Sequence, residues 1–185
     1  MILRSSIISM TCLGLISCVP MGHMTESCAE PGSRAKAQFQ VRLEVFDDSL
    51  GNHHLIVVEP PQCTYNPTEK GCITVPNGKV GDITFHLKDG RGQNCHGTGT
   101  VKWQLQGVQM SMKAKYTGGT VTDAVKCDFG TDDQGHVLSP QFPGGPRMKI
   151  EDRNNEAYEV YYTVSAVSCD TGEVISTDPW IENKG

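Results

Sequence analysis

The sequence has few aromatic residues, no excess of positive charge and no apolar run long enough to form a membrane-spanning helix. Aromatic residues make up 6% of the 185 residues, and the net charge is −5. Because nucleic-acid binding needs a basic surface that neutralises phosphates, we do not expect this acidic chain to bind nucleic acid. The longest apolar run, residues 7–17, falls short of the ~20 residues that a transmembrane helix needs.

The sequence also lacks the motifs of common metal and catalytic sites. It contains no Cys-x-x-Cys pair and no Gly-x-Ser-x-Gly nucleophile elbow. Asp128, Asp132 and Asp133 fall in a long irregular stretch, but their spacing departs from the calcium-binding EF-hand loop. We therefore predict no cofactor and no metal ion, and we do not expect an enzyme.

The histidines keep a metal-binding module open as an alternative. His53 and His54 are adjacent, and adjacent residues on a strand point to opposite faces, so this pair does not suit one ion. No His-x-His or His-x-Met pairing marks a copper or zinc site. Surface histidines are the expected interpretation, and a copper, zinc or calcium module is the alternative. A hydrolase whose site cannot be recognised from sequence is a second alternative.

The N terminus has the pattern of an export signal. Arg4 precedes the mostly apolar residues 7–17, which is typical of a secretory signal peptide. The segment Leu15-Ile16-Ser17-Cys18 resembles the lipobox of bacterial lipoproteins. This resemblance implies that residues 1–17 are removed and that Cys18 becomes the acylated first residue. Because Val19 replaces the Asp that retains such proteins at the inner membrane, the resemblance favours the outer membrane. The alternative is an ordinary signal peptide and a soluble periplasmic protein.

The cysteines that remain after this processing form an even set. Cys12 is lost with the signal and Cys18 is acylated, which leaves Cys28, Cys63, Cys72, Cys95, Cys127 and Cys169. An even number in an exported chain predicts three disulfides. Cys63 and Cys72 bracket a turn-rich loop, so we predict that they pair with each other. The other two pairings stay open.

The rest of the chain alternates apolar and polar residues with the period of a β-strand. In residues 38–46, Phe39, Val41 and Leu43 share one face while the polar residues between them share the other. Further strand patterns occupy residues 54–59, 82–87, 100–106, 108–114, 121–127, 147–151, 157–169 and 173–177. Glycine and proline turns separate them. No segment shows an extended apolar period of 3.6 residues, so we predict almost no helix.

These patterns predict an all-β fold, a single antiparallel β-sandwich (Ig-like or similar) with about 8–9 strands. Residues 18–36 are predicted to be a tether that Cys28 pins to the domain, and residues 37–185 the domain. We predict a final hairpin that turns at residues 170–172, and Pro179 is expected at a sheet edge or exit. The long irregular stretch, residues 128–146, is interpreted as a crossover between sheets, with a functional loop as the alternative.

The predicted function is recognition. Tyr161 and Trp180 are candidates for exposed aromatic side chains, which often mark surfaces that bind protein or sugar; a strand covered on both faces is the alternative. Trp103 shares a face with apolar neighbours and is assigned to the core. The expected partners are the lipid bilayer, through the acyl anchor, and an envelope protein or glycan.

Overall fold

The computed structural model describes residues 28, 32–58, 62–63, 70–88, 103–112, 120–141, 144–177 and 179–184. Within these residues the chain forms nine strands and one helix. In chain order they are β1 (Lys36–Asp47), β2 (His53–Val57), β3 (Ile73–Val75), β4 (Val80–Leu87), β5 (Trp103–Ser111), α1 (Asp123–Phe129), β6 (Arg147–Asp152), β7 (Ala157–Ser168), β8 (Val174–Thr177) and β9 (Trp180–Lys184).

The strands form two sheets of a β-sandwich, which confirms the predicted all-β fold class. Sheet I has the strand order β2-β1-β4-β6, and sheet II has the order β3-β9-β7-β5, with β8 also paired to β7. Two pairings in the described residues differ from a purely antiparallel sandwich, because β1 runs parallel to β4 and β3 runs parallel to β9. A hairpin cannot join parallel strands, so the chain crosses to the other sheet before β4 returns beside β1.

The core lies between the inward faces of the two sheets. In β1 the alternation places Val41 and Leu43 inward with no exposed surface, while Gln40 and Arg42 point outward and are exposed. Phe85 of β4 and Tyr162 of β7 meet across the core with ring centroids 5.6 Å apart. Trp103 is 6% exposed, which confirms its assignment to the core.

Residues 121–127 form part of a helix, so the predicted strand there is wrong. Thr122 is the N-cap and accepts a hydrogen bond from the Val125 backbone N–H. Gly130 ends the helix in the left-handed conformation that glycine adopts without strain. Val125 and Phe129 are buried four residues apart in α1, which puts them on one face of the helix, and Val121 just before the N-cap is buried as well. This burial favours the helix over the strand.

Three strand predictions differ from the structure in detail. Residues 100–106 and 108–114 were predicted as separate strands, but β5 is continuous and has an irregular register between Leu105 and Gly107. The short strand β3 and the last strand β9 were not predicted. Pro179 does not mark an exit from the sheet, because it lies between β8 and β9, both of which pair with β7. The predicted hairpin at residues 170–172 is confirmed by the antiparallel β7–β8 pair.

Two disulfides lie within the described residues. Cys63 pairs with Cys72 as predicted, with their Cα atoms 5.4 Å apart. Cys28 pairs with Cys127 on α1, at a Cα separation of 5.2 Å. Cys28 is the residue that was predicted to link the tether to the domain. Cys169 is also disulfide-bonded. Cys18 and Cys95 lie outside the described residues.

The irregular chain after α1 is a crossover from sheet II to sheet I, which confirms its interpretation. Along β5, the Met110 N–H donates to the Gly135 carbonyl and the Val137 N–H donates to the Val108 carbonyl. Further on, Gln141 and Lys149 exchange two backbone hydrogen bonds beside β6. The crossover therefore satisfies backbone groups at one edge of each sheet. Among the described residues no helix is long and apolar enough to cross a membrane.

Candidate functional site

An open groove runs across the outer face of sheet I. Its volume is about 710 Å³, and its lining comprises Gln40, Arg42, Glu44, Val58, His86, Leu87, Lys88, Pro146 and Arg147. We call it the sheet I groove. Arg42, His86 and Arg147 are neighbours on three adjacent strands, because Arg42 is in register with His86 and His86 with Arg147. We call these three residues the basic row. At the ordinary spacing between strands the row spans about 10 Å.

The described lysines on this face of sheet I have carboxylate partners. At the opposite end of sheet I, the Lys36 ammonium is 2.7 Å from the Glu151 carboxylate. The Lys149 ammonium lies 2.6 Å from the buried Asp82 carboxylate. Among the described residues that line the sheet I groove, Glu44 carries a carboxylate that lies 2.5 Å from Lys88. The described lining also includes two arginines and one histidine.

A second open groove of about 710 Å³ lies on the outer face of sheet II, and we call it the sheet II groove. It is lined by Gln106, Gly107, Val108, Gln109, His136, Val137, Thr163, Ser165, Val174 and Ser176. Most of these side chains are neutral amides, hydroxyls or aliphatic groups. The irregular register of β5 brings the Gly107 carbonyl within 3.4 Å of the Ser165 hydroxyl, which donates to it. The described lining of the sheet I groove includes arginine and lysine side chains, whereas the described lining of the sheet II groove includes neither.

A buried polar cluster lies at the end of the sandwich next to α1. The Asp128 carboxylate accepts hydrogen bonds from the Asn155 backbone N–H, from the Asn155 amide at 2.7 Å and from the Tyr158 hydroxyl at 2.8 Å. Asp152 accepts from the Asn154 backbone N–H and from the Asn183 amide. The cluster unites residues that are distant in sequence.

The buried cluster shifts the pKa of its titratable groups. Burial, together with the nearby Asp128 charge, raises the pKa of Asp152 to about 8. Burial and the same carboxylate raise the pKa of Tyr158. Arg34 closes the cluster from outside, because its guanidinium donates to the Arg153 and Asn154 carbonyls at 3.0 and 3.2 Å. These partners indicate that the cluster joins α1, the β6–β7 loop and β9 into one structural unit.

The predicted aromatic binding pair is not an exposed surface. Tyr161 and Trp180 are in register on β7 and β9, so they do share one face of sheet II. Trp180, however, is only 8% exposed and Tyr161 is half-buried. The prediction that Trp180 is exposed is therefore wrong. The alternation of β7 identified the face of Tyr161, but it could not reveal that Trp180 on the neighbouring strand β9 is buried.

Three of the described histidines, His53, His54 and His136, each lie beside a different carboxylate. His53 Nδ1 lies 2.7 Å from Asp47, and His54 Nε2 lies 3.2 Å from Asp48, so the adjacent pair has separate partners. His136 Nδ1 is 3.0 Å from Asp132 in the crossover. No group of three or more His, Cys, Asp or Glu residues in the described parts of the chain could hold a metal ion. The candidate calcium ligands also separate, since Asp128 is buried in the cluster.

The alignment of the basic row was not predicted from the sequence. Its members lie far apart in the chain, and only the parallel pairing of β1 with β4 brings them together. Comparison with protein-family models and with curated proteins finds no match to this chain. The proposed function therefore rests on the geometry of the protein's own surfaces.

Proposed function

We propose that this protein is an exported recognition module of the bacterial envelope, anchored at the outer membrane through Cys18 and binding an envelope protein or glycan through its outer sheet faces. The disulfides support export, because such bonds persist in oxidising compartments. The resemblance of residues 15–18 to a lipobox supports the anchor. The Cys28–Cys127 bond supports a tether that is attached covalently to α1, and not only through its chain connection to β1.

One observation favours recognition over catalysis. Among the described residues the strongly raised pKa values belong to Asp152, Tyr158 and Tyr162, which have hydrogen-bond partners within the fold. The strongly lowered pKa belongs to Asp48 in the β1–β2 turn, where hydrogen bonds from Asn52 stabilise its carboxylate. Neither groove contains any of these groups. Catalytic sites usually combine a cleft with titratable groups of shifted pKa. Because the groups with shifted pKa lie outside both grooves, the open sheet faces are better suited to binding a partner than to catalysis.

In-cell photocrosslinking tests this function in the full chain. We expect p-benzoylphenylalanine at Gln40, in the sheet I groove, or at Ser176, in the sheet II groove, to give an adduct detected by gel shift and sugar staining. The same group at Leu50 is the matched control, because Leu50 is 84% exposed in the β1–β2 turn and lines neither groove. Equal adducts at all three positions, or none at the two groove positions, would contradict recognition by the sheet faces.

Palmitate labelling tests the anchor separately. We expect labelled palmitate to be incorporated into the native protein and to be lost in Cys18→Ser, because acylation requires that thiol. The Cys28→Ser variant is the control, since Cys28 bonds to Cys127 and should not affect labelling. Labelling that persists in Cys18→Ser would refute the lipid anchor, while the crosslinking result would stand.

A further inference from the structure

We propose that a proton on Asp152 links the two sheets, because the protonated carboxyl and the Asn183 amide then exchange two hydrogen bonds. Asp152 lies on β6 of sheet I and Asn183 lies on β9 of sheet II, so the pair joins the sheets through the interior. We call these two residues the acid–amide pair. The proposal concerns the interior of the domain and does not depend on the proposed recognition function.

One of the two hydrogen bonds of the acid–amide pair is present in the structure. The Asn183 Nδ2–H donates to Asp152 Oδ1 at 3.1 Å, and the same Oδ1 accepts from the Asn154 backbone N–H at 2.9 Å. The other oxygen atom of each side chain, Oδ2 of Asp152 and Oδ1 of Asn183, is buried and has no hydrogen-bond partner in the part of the chain that the structure describes. Buried polar atoms are rarely left without a partner, so this pair lacks a donor.

A proton on Asp152 Oδ2 supplies that donor. An ionised carboxylate and an amide oxygen are both acceptors, so Asp152 Oδ2 and Asn183 Oδ1 cannot bond to each other while Asp152 is charged. A protonated carboxyl donates from Oδ2 to the amide oxygen, while Oδ1 keeps its bond from the amide N–H. Because carboxyl and amide groups are both planar, the two hydrogen bonds can form side by side. A single proton therefore satisfies both buried oxygen atoms.

The groups around Asp152 favour its protonated form. Asp128 of α1 brings a negative charge close to it, and Tyr158 of β7 brings a hydroxyl that donates to Asp128. Gly81 of β4 adjoins the Asp152 side chain and has none of its own. The Arg34 guanidinium donates to two carbonyls of the β6–β7 loop, and no described salt bridge joins it to Asp152. Burial and the Asp128 charge raise the pKa of Asp152 to about 8, which agrees with a carboxyl that keeps its proton at neutral pH.

The acid–amide pair makes contact between the sheets depend on pH at this end of the sandwich. Below pH 8 two hydrogen bonds hold β9 against β6. Above pH 8 the proton passes to solvent, the bond from Asp152 Oδ2 is lost, and two carboxylates, Asp152 and Asp128, lie near each other in the interior. Because these charges repel, α1 and β9 should open from β6 more often as pH rises.

NMR of the full chain in a neutral detergent tests the proton directly. With ¹³C at the aspartate carboxyl carbons, the Asp152 resonance is identified by its loss in Asp152→Asn. We expect this resonance to report a protonated carboxyl at neutral pH and to titrate with a midpoint near pH 8. The side-chain N–H resonances of Asn183 should shift with the same midpoint, because its carbonyl loses the donated hydrogen bond. A midpoint at the ordinary aspartate value of about 3.9, or an Asn183 amide that does not respond, would overturn the inference.

Exchanging the two groups tests the pairing. Asn183→Asp puts a second carboxyl at the pair, so we expect a lower urea midpoint at pH 7. Adding Asp152→Asn restores one carboxyl and one amide with their positions exchanged, and most of the lost stability should return. Asn77→Asp is the matched control, because it makes the same chemical change at an exposed asparagine. It should leave the midpoint unchanged, and adding Asp152→Asn to it should have no larger effect than in the native protein.

A double variant no more stable than Asn183→Asp would refute the pairing. If Asn183→Asp does not fold, the comparison becomes whether the double variant folds, and the NMR titration of the native protein decides independently.

Hydrogen exchange measures the link between the sheets. After correction for the intrinsic effect of pH on exchange, we expect amides of β9 and α1 to lose protection above pH 8, by at most about tenfold per pH unit for one proton. Asp152→Asn should keep the same protection throughout this range, because its amide cannot ionise. Amides of β2, at the opposite edge of sheet I from β6, are the internal reference. An equal loss in the native protein and in Asp152→Asn would show that the opening does not depend on this proton, which contradicts the proposal.

Discussion

Asp152 is a carboxylic acid whose ionisation is strongly altered by folding. Its side chain is completely buried, and burial beside Asp128 raises its pKa to about 8. In the described residues no hydrogen bond reaches its Oδ2 atom. A protonated carboxyl suits this environment, because it avoids the cost of burying a second negative charge near Asp128.

The raised pKa of Asp152 makes stability depend on pH. Between pH 4 and 8 the folded protein keeps a proton on Asp152 that the unfolded chain loses, so the free energy of unfolding decreases as pH rises through this window. The slope reaches at most about 1.4 kcal/mol per pH unit. Asp152→Asn imitates the protonated carboxyl, so we expect a flatter profile and a variant more stable than the native protein above pH 8.

Urea unfolding at pH 5, 6.5 and 8.5 measures this effect. Asp170→Asn is the control, because Asp170 is exposed in the β7–β8 turn and should leave the slope unchanged. If Asp152→Asn keeps the native slope, the pH dependence arises from other groups and the proposed ionisation of Asp152 is wrong.

At the scale of elements, the strands were largely predictable because one face of each is buried. Alternation located β1, β4, β6 and β7 within a few residues, since burial of every second side chain is visible in the sequence. The helix α1 was missed because its residues also satisfy a short strand pattern. The spacing of Val121, Val125 and Phe129 and the cap pair Thr122 and Gly130 were the available signals.

The candidate site could not be predicted in the same way. Arg42, His86 and Arg147 belong to β1, β4 and β6, and each alone is an ordinary outward residue of an alternating strand. The row exists only because a parallel pairing fixes one register between β1 and β4. Sequence patterns specify which face a residue occupies, but they do not specify which distant strand lies beside it.

The two disulfides of the described residues should differ in their effect on stability. The Cys28–Cys127 bond spans 99 residues and the Cys63–Cys72 bond spans 9. In the chain-entropy description, loss of the longer loop costs about 4.7 kcal/mol and loss of the shorter about 2.7 kcal/mol. We therefore expect the double variant Cys28→Ala/Cys127→Ala to lose about 2 kcal/mol more than Cys63→Ala/Cys72→Ala.

Chemical denaturation of the two double variants, compared with the native protein, measures this difference. Hydrogen exchange adds a local readout, since amides of α1 should lose protection in the first variant and retain it in the second. Equal destabilisation would show that the long loop adds no constraint beyond that of the short one.

For the whole molecule, the cysteines connect the fold to the export proposal. The two described bonds leave Cys95 and Cys169 of the predicted set of six, and Cys169 is disulfide-bonded. We therefore expect a non-reduced tryptic digest to link peptide 92–102, which contains Cys95, to peptide 154–184, which contains Cys169. Mass spectrometry before and after reduction provides the measurement. A bond from Cys169 to Cys18 would contradict both this pairing and the acylation of Cys18.

The Cys28–Cys127 bond and the Arg34 hydrogen bonds also determine how the molecule bears mechanical force. A pull on the chain before Cys28 passes through the covalent bond into α1, and from there into the buried cluster around Asp128. The pulling force therefore does not peel β1 away from β4. With this bond intact, a domain held at its N-terminal end resists tension through its interior, and reduction transfers the load to the first strand.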